Sequence, residues 1–233
     1  MDLSPHEAKY NSQNGEDGIT MKLVEIIYTS WEDKFYVEFG VNDGRECNSN
    51  ILRDFCKWKG LQMDGGFENP SVNHHKEFIT RENIIGLFHK YNVPNKINYL
   101  SVDLDFNDFY ILNEIVKNYS CDIIVCEYNA SHKPHEDKIV IYNPNYMWDE
   151  TNYFGVSLLA LTRLMNKYNY SLIYCDNRGV NAFFVNNDLG LQFKDQNDVS
   201  KIYKPPRYGL NILGGHTHDP LNRSFVSSDT VMS

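Results

Sequence analysis

Apolar positions along the chain fall into two alternating spacings. Helical stripes of period near 3.6 are separated by short continuous apolar runs that read as buried strands. Ile19, Leu23, Ile26 and Ile27 share one helical face. Phe35 to Phe39 is the first strand-like run. A second stripe over Glu46 to Lys57 turns Ile51, Leu52 and Phe55 inward, and Gly60 to Met63 predicts the next strand. Val72 to Ile79 predicts a short third strand, and Arg81 to Tyr91 a helix built on Ile84, Leu87 and Phe88 and stopped by Pro94. Strand Ile97 to Val102, helix Asn107 to Asn118 and strand Asp122 to Cys126 continue the alternation. Ala130 to Thr151 shows little periodicity and predicts a long loop with a short strand at Lys138 to Tyr142. Gly155 to Tyr168 is an amphipathic helix, and Tyr170 to Cys175 with Asn181 to Val185 predicts a hairpin turned at Asn177-Arg178-Gly179. From Asn186 onward the reading is a capping helix or loop and then a polar tail, with Gly214 to His218 read as a flexible element of that tail in preference to a metal site. Strands alternating with helices, closed by a hairpin, predict an α/β fold: Rossmann-like, doubly wound and mostly parallel, with an antiparallel edge.

The chemistry concentrates at strand ends. The first strand runs into Glu38-Phe-Gly40-Val-Asn42-Asp-Gly44, a glycine turn ahead of a helical stripe. Such a turn lets the backbone approach a ligand at the carboxyl ends of an open sheet, or is a plain tight βα turn that Glu38 caps. Asn42 stands where a dinucleotide fingerprint would have its second glycine, which disfavours a closely held pyrophosphate. The second strand ends at Asp64, where an acid can grip a ribose diol. The fourth ends at Asp103 with Asp105, and the fifth at Glu127 with Asn129. In a doubly wound sheet these acids converge, and like charges at close range cost several kcal/mol. A hard divalent cation on Asp103, Asp105, Glu127 and Asn129 would relieve that cost. So would a raised pKa that makes one carboxylate a general base, and Asp105 could instead cap the helix that follows it.

Composition narrows the partners. The chain has 233 residues and suits a single domain, with residues 1–30 as N-terminal helix and lid, 130–155 as acceptor loop and 189–233 as C-terminal extension. A formal charge of −9 argues against nucleic acid. No apolar run is long enough to span a bilayer and no signal peptide is visible, so a cytoplasmic location is expected. Five cysteines without a metal-type pair read as free thiols.

Several segments together resemble one family. They are Tyr10 to Gly18 (YNSQNGEDG), Val37 to Gly44 (VEFGVNDG), Ser101 to Phe109 (SVDLDFNDF), Cys126 to Asn129 (CEYN), Thr151 to Leu158 (TNYFGVSL) and Val180 to Val185 (VNAFFV). The chain to about Asp188 is similar to the FkbM-like class I S-adenosylmethionine (SAM) methyltransferases that decorate glycans and polyketides. It also resembles methyltransferase domains that chloroviruses carry beside rhamnosyltransferases, so a larger multidomain glycosyltransferase chain is an expected context. The resemblance implies SAM-dependent O-methylation of a sugar hydroxyl, with a terminal rhamnose of a viral glycan as the expected acceptor, assisted by Mg²⁺ or Mn²⁺. It maps the cofactor pocket to Gln13, Glu38, Gly40, Asn42, Asp64, Ser101 and Asp103, and metal ligands to the acids of the fourth and fifth strands. For O-methyl transfer Asp105 is the leading base candidate, with His132 and His135 behind it. The acceptor-loop aromatics Tyr142, Tyr146, Trp148, Tyr153 and Phe154 suit a carbohydrate face. The chain departs from related metal-dependent enzymes in having Tyr128-Asn129 where a second acid is common, and no histidine soon after the fourth-strand acid. Two other readings stay open on the same acids: a metal-dependent nucleotide-sugar enzyme or hydrolase, and a non-catalytic binding domain.

Overall fold

The computed structural model describes residues 1–209, 212 and 214–232. The part of the expected C-terminal extension that falls on Leu210, Asn211, Leu213 and Ser233 lies outside the described residues. In chain order the elements are α1 (Glu16–Ile27), β1 (Phe35–Phe39), α2 (Asn50–Asp54), β2 (Lys59–Asp64), β3 (His74–Lys76), α3 (Ile84–Lys90), β4 (Lys96–Val102) and α4 (Asp108–Asn118). Then come β5 (Ser120–Glu127), β6 (Ile139–Val140), α5 (Leu158–Lys167), β7 (Tyr170–Cys175), β8 (Asn181–Asn186), α6 (Val199–Ile202), β9 (Phe225–Val226) and α7 (Ser228–Met232).

Among the described residues, seven strands form one sheet in the order β3-β2-β1-β4-β5-β8-β7. The β1 to β5 pairings are parallel, and β8 runs antiparallel to both β5 and β7. This is the expected doubly wound sheet with an antiparallel edge hairpin. Its strands read as unbroken apolar runs because both faces are covered. Alternate residues enter two separate cores. Val37, Leu100, Ile124 and Phe184 pack with α3, α4 and α5, while Tyr36, Tyr99, Ile123 and Phe183 pack with α1 and α2.

Three differences from the sequence reading have local causes. The helix expected over 46–57 shrinks to Asn50–Asp54, because the backbone N–H groups of Asn48 and Ser49 bond the Glu38 carboxylate at 2.8 and 2.9 Å. The third strand is only His74–Lys76, since Asn73 takes a left-handed conformation (φ 56°) after a 3-10 turn. The expected polar tail is a built part of the molecule. β9 pairs with β6 in a second small sheet, and Asp137 accepts bonds from Ser228 N (2.9 Å) and Arg163 Nη1 (2.5 Å), tying α7 to α5. All five cysteines are buried and free, and no helix among the described residues is long and apolar enough to cross a membrane.

Candidate functional site

The carboxyl ends of β1, β2, β4 and β5 meet at one crevice. Gly40 leaves β1 with φ 70°, and a Cβ there would stand 1.6 Å from the Asp103 carbonyl oxygen. Only glycine allows the exits of β1 and β4 to pass this closely. Asn42 is also left-handed (φ 47°), and its N–H donates to Asp64 Oδ2 at 2.9 Å. Asp64 Oδ1 accepts from Gly66 N (2.7 Å) and Phe67 N (3.1 Å). That carboxylate therefore shapes the turns after β1 and β2, yet Oδ2 carries a single donor and keeps a lone pair for a ligand hydroxyl.

Glu38 and Ser101, expected to hold cofactor, are mostly engaged in support. Glu38 Oε2 accepts the Ser49 hydroxyl at 2.5 Å as well as the Ser49 N–H, Oε1 accepts the Asn48 N–H, and Ser101 Oγ accepts from Asn48 Nδ2 at 3.1 Å. Burial raises the Glu38 pKa even against these donors. The two side chains fix residues 40–49 as a rigid loop. Glu38 still lines one wall of the crevice, whereas Ser101 is buried behind it.

One oxygen from each of Asp103, Asp105 and Glu127 lies within 4.8 Å of the others. Asp103 and Glu127 are half-buried and Asp105 is exposed. The backbone at Asp105 is left-handed (φ 62°), a conformation that aspartate enters more readily than most non-glycine residues. Asp105 is not the cap of the helix that follows. Asn107 is the N-cap of α4 without a side-chain cap, and Leu104 N is taken by Asp108 Oδ1 at 2.7 Å. All three acids have raised pKa values. Burial is the main cause for each, and mutual charge adds to it for Asp103 and Glu127. Glu127 Oε2 is buried without a hydrogen-bond partner. A cluster of oxygen ligands with one orphaned oxygen fits a hard divalent cation.

Asn129, expected as a fourth ligand, is placed differently. Its Nδ2 donates to Asn152 O and Phe154 O at 2.9 Å each, and its Oδ1 accepts from Ser131 N at 3.1 Å. The amide ties the exit of β5 to the 152–154 loop segment. His132, expected as a base, is buried edge-on against Phe225 (ring centroids 4.6 Å), and burial lowers its pKa to about 4. This puts it in the layer under β9, and it is not among the residues that line the crevice.

Three adjoining cavities of about 400, 310 and 440 Å³ share Gly40, Asn42 and Asp103 as lining. The first also exposes Asp64, Phe67, Phe78, Asp105, Tyr146 and Trp148. The second carries Gln13 and Glu38. The third holds Asp105 and Glu127 opposite residues that the sequence reading did not single out: Arg178, Tyr208 and His216. A larger cavity of about 710 Å³ lies on the outer face of α1 and α2, and none of the expected site residues lines it.

Gln13 reaches the crevice because two acids fold its loop. Asp17 Oδ2 accepts the N–H groups of Tyr10 (2.8 Å), Asn11 (2.7 Å) and Ser12 (2.7 Å), and Glu16 Oε2 accepts those of Asn14 (2.9 Å) and Gly15 (2.8 Å). The YNSQNGED segment is thus a tight ring around two carboxylates, with Gln13 exposed on the cavity side. Arg178, Tyr208 and His216 had no periodicity to mark them. A turn dipeptide and a glycine pair were the only local signals, and both read equally well as plain loop.

No protein-family model matches this chain, and no curated protein matches it. Solved structures with similar folds include the N-terminal domain of EvdMO1 with SAH bound, at 11% identity and TM-score 0.45 over 75% of this chain and 80% of that one. The CurJ carbon methyltransferase matches at 8% and 0.38 over 72% of this chain and 52% of that one. A SAM-dependent methyltransferase from Aquifex aeolicus matches at 10% and 0.34 over 70% and 86%. Likeness of this extent transfers no activity, so the chemistry rests on the crevice itself.

Proposed function

We propose that this chain is a SAM-dependent O-methyltransferase acting on a sugar hydroxyl, a terminal rhamnose of a glycan being the leading acceptor. The observation that carries the reading is the shared crevice: a glycine turn, a strand-end acid with a free lone pair and a three-carboxylate cluster open into adjoining cavities through Gly40, Asn42 and Asp103. Cavities of this size and mixed polarity suit a nucleoside-sized ligand with an acceptor beside it. Gln13, Gly40, Asn42 and Asp64 would contact the methyl donor, with Asp64 Oδ2 accepting from a ribose hydroxyl. Glu38 and Ser101 support that turn from behind.

Asp103, Asp105 and Glu127 would hold a divalent cation, which when bound lowers the pKa of an acceptor hydroxyl and orients it. Trp148 is set to receive a sugar face. Its Nε1 donates to Thr151 O at 2.8 Å, which fixes the ring where it lines the first and third cavities. Residues 130–155 act as acceptor loop within a single domain, which fits a module of a larger glycosyltransferase chain.

The test is calorimetric titration with SAM and S-adenosylhomocysteine (SAH), followed by labelled-methyl transfer to rhamnose-terminated and other glycans, with and without chelator. Absence of binding by either nucleoside would discard the reading. Turnover of a nucleotide sugar without SAM would replace it with the metal-dependent alternative.

A further inference from the structure

The C-terminal segment brings a histidine to the wall of the cavity that holds the acid cluster. Thr217 bridges Thr151 of the acceptor loop in parallel, Asn152 N donates to Thr217 O at 2.8 Å, and Asp219 N donates to Asn152 Oδ1 at 2.9 Å. Asp219 also accepts Arg223 N at 2.7 Å, so the segment is anchored beyond the bridge as well. His216 is thereby set among Trp148, Tyr208 and Phe154, with ring centroids 4.5, 5.2 and 5.5 Å away. Three rings around one imidazole leave it little freedom to turn. Its remaining side lines the cavity of about 440 Å³ that also holds Asp103, Asp105 and Glu127. No hydrogen bond to its ring nitrogens is found among the described residues. An acceptor hydroxyl at the acid cluster therefore has one imidazole in the same cavity, and neither His132 nor a histidine near β4 competes for that place.

We propose that His216 is the general base of methyl transfer, taking the proton of the acceptor hydroxyl. This inference rests on the sugar methyltransferase reading. The acceptor oxygen forms its new bond to the methyl carbon of SAM, and the carbon–sulfur electron pair returns to sulfur, leaving the neutral thioether SAH. The hydroxyl proton passes to the free imidazole nitrogen and then to solvent, so charge and atoms balance. Burial lowers the pKa of His216 while the charge of Glu150 opposes that, and the ring is neutral and able to accept near pH 7. Tyr208 packs against it at 5.2 Å, and the other titratable and charged groups lining the same cavity are Arg178, Asp103, Asp105 and Glu127. The competing role is purely structural: a ring that fills an aromatic cage.

His216→Phe keeps the ring and removes both nitrogens, and His216→Gln keeps a polar group of similar size. Both are compared with the wild-type chain in labelled-SAM transfer to methyl rhamnoside, with Mg²⁺ or Mn²⁺ present. The expected result is a fall in kcat of about 100-fold or more, with acceptor KM and SAH affinity near wild type. The acid limb of the wild-type kcat–pH profile should vanish in both variants, and added imidazole should restore part of the His216→Gln rate. Wild-type kcat and pH profile in either variant overturn the base assignment while leaving methyl transfer standing. A wild-type chain that binds SAH but methylates no sugar defeats the underlying reading and this inference with it.

Discussion

Replacing Glu127 with glutamine has opposite expected effects on the metal-free and cation-loaded protein. Two unit charges 4.8 Å apart, the outer separation in the cluster, repel by about 3.5 kcal/mol at an effective dielectric of about 20. Burial first and mutual charge second raise the pKa values of Asp103 and Glu127, the direction in which this repulsion acts. About 1–2 kcal/mol of it should remain at neutral pH for the half-buried pair. Glu127→Gln removes one charge at nearly constant shape. In chelator the variant should therefore unfold about 2–8 °C above wild type, at about 2–4 °C per kcal/mol for a chain of this size. A cation at about 100 times its Kd contributes about 2.7 kcal/mol to the wild type, raising its Tm by about 5–11 °C. The variant, short of a ligand, should gain little. Scanning calorimetry at neutral pH, in chelator and then in Mg²⁺, Mn²⁺ or Ca²⁺, reads all four states. A wild-type Tm indifferent to every cation would refute the metal assignment. A variant less stable than wild type in chelator would refute the claim of residual repulsion.

Three further outcomes follow from the same geometry. Gly40→Ala puts a methyl group into the Asp103 carbonyl at a left-handed φ, so a loss of about 2–5 kcal/mol in urea unfolding and of measurable SAH binding is expected, and an unchanged variant would show that the β1–β4 approach is not tight. In Asp64→Asn one side of the amide faces N–H donors on Asn42 or on Gly66 and Phe67, which should cost about 1–3 kcal/mol and at least about tenfold in SAH affinity by calorimetry, with wild-type affinity counting against Asp64 as the ribose acceptor. His132 has a folded pKa of about 4 against an ordinary value of 6.5. Its lowered value means stability is full above pH 6.5 and drains as the unfolded state protonates first. About 2 kcal/mol should be lost between pH 8 and pH 5, and that increment should disappear in His132→Phe, as read by denaturant midpoints at both pH values.

The fold and half of the crevice were legible in the chain because they are local. Buried strands such as Ile97 to Val102 and Asp122 to Cys126 announce themselves as apolar runs, and a parallel sheet forces acids at their ends, Asp64, Asp103 and Glu127, to one edge. Glu38 was legible both as a ligand contact and as the cap of its own turn, and the sequence did not choose between the two. Whether a carboxylate faces a ligand or two backbone N–H groups depends on a loop ten residues later, which no spacing rule fixes. The same holds for Asn129, whose amide found the backbone of Asn152 and Phe154, more than twenty residues on.

Sequence by itself determined the strand-and-helix alternation, the doubly wound sheet and the acids at its carboxyl edge, since each follows from periodicity and parallel pairing. Tertiary structure alone decided that Arg178, Tyr208 and His216, drawn from an edge hairpin and the C-terminal segment, line one cavity with Asp103, Asp105 and Glu127. The physical reason is range. Hydrophobic period is a property of neighbours along the backbone, whereas a β-bridge such as Thr151 to Thr217 joins residues far apart in sequence and leaves no trace in either segment alone.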